Sequence, residues 1–425
     1  MNRIIVKSVE IREKSLAVEY ALEGAPALYL SGERFECAFS EDVGDTPESV
    51  AVIPFLCDVL PVAWLTDATI EVSAVDRQFL ESIEKFKRGY VSQYPMLNFA
   101  ETKIRCGNIQ NNAYKPSENC AAFFSGGVDA FCTLISHIEE KPRLITLWGS
   151  DVTFDDLEGW RLVEKHAKDT AEQFALPVPV SVKTNFRALT KDGALNKLVA
   201  KSGDSWWHGF QHGIGIIGHA APVSYKYKMN VVYIASSYTK DNQPTCASHP
   251  EIDSNVRLAG TRVWHDQYEN NRIKKTQKIV DFCKKTKQKI RLHVCYESSG
   301  GENCCRCEKC FRTIFTLISF GANPEEYGFK NFRNRIGESQ KKVSTMLLDN
   351  PSAPPFWNDI QKRFSNIETF KSDPAINWIY TIDVFKKRSF ASRVCRWGKY
   401  RVKSLVAKVL PASFKHLIKS FFPER

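Results

Sequence analysis

Two clusters in the chain combine residue types and spacings that do chemistry. The first is Phe123-Phe124-Ser125-Gly126-Gly127-Val128-Asp129-Ala130. Paired glycines let a backbone approach a ligand and expose successive N–H groups. A helix starting just beyond them adds partial positive charge, and both features suit phosphate. Ser125 offers a hydroxyl donor, and Asp129 either caps the helix or holds a Mg²⁺ that bridges phosphates. The second cluster is Cys295-x8-Cys304-x2-Cys307-x2-Cys310. Four thiolates at this spacing fill a tetrahedral Zn²⁺ site and leave no position for a catalytic water, so the implied metal is structural. An iron–sulfur cluster is the competing assignment. Cys305 lies inside the run, but its spacing fits a shared ion less well.

Other residues are candidates for a ligand wall. Asp151, after Trp148-Gly149-Ser150, is a second metal carboxylate or a solvated loop acid. His208 and His212 stand four apart near Gln211, at a spacing that serves substrate hydrogen bonds or plain packing. Ser236 ends a strand, and Ser248 and His249 lie in the long polar connection after it, where binding faces are often built. Ser248, His249 and Asp253 are the ingredients of a hydrolytic triad, but no nucleophile elbow accompanies them. Cys132 and Cys246 are candidate thiol nucleophiles, set against the commoner fate of a buried structural cysteine.

These residues need a scaffold, and the central stretch provides one. Apolar strands are predicted at residues 120–124, 143–148, 178–183, 231–236 and 290–295. Helices alternate with them, from about Asp156 and over 205–220, 272–286 and 308–320, with Gly321 closing the last. That alternation predicts an α/β fold with a five-stranded parallel sheet and helices on both faces. Ligands in such sheets bind beyond the strand C-termini. Residues 1–116 read as a separate α+β unit, with strands at 4–9, 16–21 and 35–39 and helices at 47–59 and 74–87. Residues 117–325 form the ligand-binding domain with the four-cysteine site. Residues 326–425 read as a helical extension interrupted by Pro351, Pro354, Pro355 and Pro374.

An SGGxD loop between strand and helix resembles the pyrophosphate loop of the N-type ATP pyrophosphatases, the PP-loop superfamily. Within it, residues ~121–321 resemble the 7-cyano-7-deazaguanine synthases, through Cys295-Tyr296, Cys304, Cys307, Cys310 and Arg312 together with the loop. The resemblance implies an adenine nucleotide alpha-hydrolase-like fold, ATP as co-substrate, Mg²⁺, and structural Zn²⁺ on the four cysteines. It places the pyrophosphate half of ATP on Ser125, Gly126, Gly127, Val128 and Asp129, makes Ser125 and Asp129 the catalytic pair, and sets Asp151 near the nucleotide. The implied reaction adenylates a carboxylate or amide oxygen of a small molecule, releases pyrophosphate, and lets ammonia or an amine displace AMP. Two alternatives stand beside it: a PP-loop tRNA thiolase, and a non-catalytic nucleotide- or nucleobase-binding protein. The family has Ser or Thr where this chain has Ala130, a loss of one hydrogen bond worth ~0.5–1.5 kcal/mol. No Gly-x4-Gly-Lys-Ser/Thr occurs, which argues against a P-loop ATPase.

The wider composition sets limits. With 43% hydrophobic and 25% charged residues, the 425-residue chain is neither disordered nor collagen-like nor a coiled coil. No apolar run nears the roughly 20 residues of a membrane span. The start MNRIIVKSVEIREK turns charged too soon for a secretory signal. Thirteen cysteines without such a signal predict reduced thiols and a cytoplasmic location. The net charge of +11 is concentrated in residues 386–425, which hold twelve basic residues and one acid. On a helical wheel Val394, Val402, Leu405 and Val409 oppose Arg393, Arg396, Arg401 and Lys403. Such a tail predicts peripheral contact with an anionic membrane or docking on the protein itself; nucleic acid is the less favoured partner.

Overall fold

The structure, a computed structural model, describes residues 1–295, 302–350 and 352–386. Tyr296 and nearly all of the basic tail lie outside the described residues. The chain divides into two compact units, residues 1–336 and 337–425.

The first unit is an α/β structure on one large mixed sheet. Its strands are β1 (Arg3–Arg12), β2 (Ser15–Glu23), β3 (Phe35–Phe39), β4 (Thr69–Asp76), β5 (Lys103–Gln110) and β6 (Cys120–Phe123). They continue with β7 (Arg143–Trp148), β8 (Val180–Thr184), β9 (Val231–Ala235), β10 (Arg257–Leu258) and β11 (Thr261–Asp266). Their spatial order is β10-β11-β9-β6-β7-β8-β3-β2-β1-β4-β5. The stretch β11-β9-β6-β7-β8 is parallel throughout. β6 (CAAF) and β9 (VVYIA) are buried along nearly their whole length, the pattern of strands covered on both faces. β3 (FECAF) alternates buried and exposed, as a strand with one wet face does.

Two expectations are corrected. Residues 290–295 form no strand, and the edge beside β9 is taken by β11 instead. The backbone of 290–295 is satisfied elsewhere: Leu292 N–H donates to the Tyr327 carbonyl (3.0 Å), His293 N–H to the Gly126 carbonyl (2.7 Å), and Val294 N–H to Asn303 Oδ1 (3.0 Å). Residues 1–116 do not stand apart either. β3 pairs antiparallel with β8, Cys37 opposite Thr184 and Phe39 opposite Val182, so the sheet crosses the expected boundary unbroken.

Helix Ile53–Thr66 is buried on almost every side, which marks a core helix. It packs on helix His212–Gly218. The run Gly213-Ile214-Gly215-Ile216-Ile217-Gly218 spells G-x-G-x-x-G, yet it sits inside that helix and follows no strand, so it is not a dinucleotide loop. A Cβ at Gly215 would stand 2.8 Å from Asp58 Oδ1, and one at Gly218 would stand 2.9 Å from Cys57 Cβ. These glycines let two helices touch. Helix Arg272–Thr286, capped by Asn271, packs on helix Val128–Ser136 behind β9.

The second unit, where described, is helical: Ser339–Asp349, Pro354–Phe364 and a 3₁₀ turn at Asn377–Tyr380. Trp357 meets Trp378 at 5.9 Å, and Gln361 Nε2 donates to the Ile379 and Ile382 carbonyls. Among the described residues no helix is long and apolar enough to cross a membrane, and every described cysteine is free of a disulfide.

Candidate functional site

The direction of strand addition reverses at β6, which lies between β7 and β9. At such a switch point the flanking loops diverge and open a crevice. A cleft of about 840 Å³ opens there, lined by Ser125, Gly127 and Asp129 beyond β6, Asp151 beyond β7, Ser237 beyond β9, and by Arg272 and Lys309.

Gly126 has φ +74°, in the left-handed region, and a Cβ there would lie 2.6 Å from the His166 ring. Only glycine suits that position. Gly127 is the N-cap of helix Val128–Ser136 and brings no side chain to its first turn. Asp129 therefore does not cap the helix. Its carboxylate lies 3.0 Å from Arg272 Nη1 and 3.2 Å from Lys275 Nζ, and Lys275 also donates to the Ser236 carbonyl. Burial pushes the Asp129 carboxyl up, but Arg272 and Lys275 outweigh it and hold the group below the ordinary carboxylate range. Arg272, Lys275 and Lys309 escape a reading of the sequence, because helix-terminal cations are common and nothing local ties them to residue 129.

The expected wall residues separate into two groups. His212 and Ser248 line the cleft; His208, Gln211, Ser236 and His249 do not. Gln211 gives its amide to Asp58 Oδ1 (3.2 Å) and the Phe186 carbonyl (3.3 Å) in the core. Ser236 donates to the Tyr238 carbonyl (2.6 Å). His249 Nδ1 accepts from Glu251 N–H (3.2 Å), capping the short helix Pro250–Asp253. Ser248 donates to Asp253 Oδ2 (2.7 Å) rather than to a histidine, so Ser248, His249 and Asp253 make no triad. Cys132 donates to Gln267 Oε1 (3.5 Å), and burial pushes its thiol up to about 12, unsuited to a nucleophile.

Cys295, Cys304, Cys307 and Cys310 bring their sulfurs within 4.8 Å of one another, close enough to hold a metal ion. Two pairs, Cys295–Cys307 and Cys304–Cys310, stand at 3.9 Å. A tetrahedron with metal–sulfur bonds of about 2.3 Å has edges of about 3.8 Å, so the residues fit zinc. Cys307 N–H and Arg306 N–H point at Cys304 Sγ (3.3 and 3.4 Å), and Cys310 N–H points at Cys307 Sγ (3.4 Å). Such donors favour the thiolate form. Cys305, at φ +54°, instead turns its sulfur to the Asn303 carbonyl (3.5 Å). The cluster closes onto residues 290–295, the strap whose His293 N–H holds the Gly126 carbonyl.

No family model matches the chain, and comparison with curated proteins and with solved structures found no match.

Proposed function

We propose that the chain is an ATP-dependent, AMP- and pyrophosphate-forming enzyme of PP-loop type, similar to the 7-cyano-7-deazaguanine synthases. It adenylates a carboxylate or amide oxygen of a small molecule for attack by ammonia or an amine. The observation that carries this reading is the meeting, at one switch-point crevice, of Ser125, Gly127 and Asp129 of the loop with Arg272 and Lys309, with Lys275 buried behind Asp129. A polyphosphate on that loop receives N–H donors from one side and positive charge from the other.

The acceptor oxygen attacks the α-phosphorus and pyrophosphate leaves. The chain's part is to align the two and to offset charge growing on the leaving group, not to bond to either. Asp129 keeps two cations beside the loop, and Asp151 on the cleft wall would be a carboxylate for Mg²⁺. The four cysteines would hold a structural Zn²⁺, whose place would offer chemistry no open position and would tie the cluster to the strap behind Gly126. Ala130 lacks the family hydroxyl, but the backbone donors do not depend on it.

The test is exchange of radiolabelled pyrophosphate into ATP, with AMP release, across a panel of carboxylates and amides. AMP and pyrophosphate in equal amounts are expected. ADP as product, or binding of ATP without exchange on any member of the panel, refutes the reading.

A further inference from the structure

The strap at residues 290–295 serves the cleft, the cysteine cluster and the glycine loop at once. His293, Val294 and Cys295 line the cleft, and Cys295 is one of the four clustered sulfurs. His293 N–H donates to the Gly126 carbonyl (2.7 Å). A peptide unit is planar and trans, so its carbonyl and its N–H point opposite ways. Fixing the Gly126 carbonyl on the strap therefore turns the Gly127 N–H off the strap, and Gly127 lines the cleft. A strap that shifts lets this peptide rotate, and the loop loses an aligned donor for phosphate.

Two attachments tie the strap to the cysteine loop. Asn303 Oδ1 accepts from Val294 N–H (3.0 Å), and its amide donates to the Leu292 carbonyl (2.7 Å) and the Gly328 carbonyl (3.1 Å). Asn303 immediately precedes Cys304. Cys295, at the strap's end, stands 3.9 Å from Cys307, sulfur to sulfur. The cluster also carries Lys309, set between Cys307 and Cys310 in the first turn of helix Glu308–Ser319, onto the cleft wall. A shared ion draws four sulfurs together far more strongly than their contact alone does.

We infer that the four-cysteine centre and the glycine loop bind their ligands as one coupled unit, with Asn303 as the positioning residue between them. Zn²⁺ on the sulfurs fixes the strap, the strap aligns the Gly126–Gly127 peptide, and the cleft gains affinity for the phosphates of a nucleotide. Linkage makes the effect reciprocal: a bound nucleotide tightens the ion by the same factor. This rests on the nucleotide reading of the cleft given above. An ion that only braced the fold would leave the two affinities independent.

The test is the affinity of the full chain for Zn²⁺, measured by competition with a chromogenic chelator, with and without saturating ATP in excess Mg²⁺. ATP is expected to tighten Zn²⁺ at least about fivefold, and calorimetry should find ATP bound more weakly by the same factor in the metal-free chain. Asn303→Ala should bring that factor close to one while each ligand still binds. A general loosening lowers both affinities and keeps the factor, so an unchanged factor in this variant overturns the role of Asn303. Where Asn303→Ala does not fold, Asn303→Asp replaces it: the acceptor for Val294 N–H stays, the donors to Leu292 and Gly328 go, and the factor should fall part of the way. Zn²⁺ affinity indifferent to an ATP that does bind overturns the coupling and leaves the nucleotide reading standing. No binding of ATP to the zinc-loaded chain overturns both. Circular dichroism of the metal-free chain completes the test: a retained sheet is expected, and its loss would make the link one of global unfolding and overturn the role of the strap.

Discussion

The Asp129 carboxylate lies between Arg272 Nη1, 3.0 Å away, and Lys275 Nζ, 3.2 Å away, which ties the glycine loop to a helix 143 residues further along the chain. Asp129→Asn leaves both cations without their counter-charge, and Lys275 is almost fully buried. The expected cost is about 3–5 kcal/mol of stability and at least a tenfold loss of exchange, read by urea unfolding and by the pyrophosphate assay. The pH sign follows from the lowered carboxyl pKa. The unfolded carboxyl binds its proton at a higher pH, so this stability is complete above the ordinary carboxylate value and drains away as pH falls through the folded one.

Gly126→Ala is expected to abolish exchange while leaving the fold largely intact. The added methyl meets the His166 ring at 2.6 Å and forces a left-handed residue to carry a Cβ. Gly203→Ala is the control, since it also has positive φ but open space around it. If the two variants lose exchange equally, backbone strain alone is responsible and the loop has no special standing.

Elemental analysis should return one zinc per chain and a colourless protein. Cys307→Ser should lose the ion and lower the thermal midpoint further than Cys120→Ser, a buried cysteine outside the cluster, because ion binding of this kind is worth on the order of 10 kcal/mol. Stoichiometric iron would replace zinc with a cluster.

His219 provides a separate acid response. It is wholly buried, with Nδ1 donating to the Gly215 carbonyl (2.7 Å) and Nε2 accepting from the Thr184 hydroxyl (2.8 Å). Burial lowers its pKa to about 4. Between the unfolded value near 6.5 and this one the unfolded chain binds the extra proton, so stability falls as pH falls, by roughly 3 kcal/mol over the window. Urea midpoints from pH 7 to 4.5 should show the slope, and His219→Gln should remove one proton's share of it. An unchanged slope would mean that His219 charges inside the fold.

The legible parts of the site are those whose chemistry is local. Ser125–Asp129 is one turn, and Cys304, Cys307 and Cys310 lie within seven residues, so sequence spacing stands in for distance. Arg272 and Lys309 reach the cleft only through the packing of distant helices, and no neighbouring residue announces it. Alternation of buried and exposed residues does not by itself make a strand. In residues 290–295, Ile290, Leu292 and Val294 are buried with exposed Arg291 between the first two, yet their backbone groups bond to loops. In β11, Val263 and His265 are buried between exposed Arg262 and Trp264, the same rhythm with a real strand beside it. Period two reports which face is wet, not what the backbone bonds to. Gln211 departs from its expected place for a related reason: a π turn rotates it toward Asp58, where regular helical spacing puts it beside His208 and His212.

The β3–β8 seam bears on how this protein can be cut. A fragment beginning at Ser117 would keep the glycine loop and the four sulfurs but bare one side of β8, a strand now paired with Cys37, Ala38 and Phe39. Unpaired backbone along an exposed edge seeks new partners, so such a piece should precipitate or pair with itself, visible in light scattering. The half that carries the glycine loop is no portable cassette: any graft or truncation has to bring the first hundred residues along.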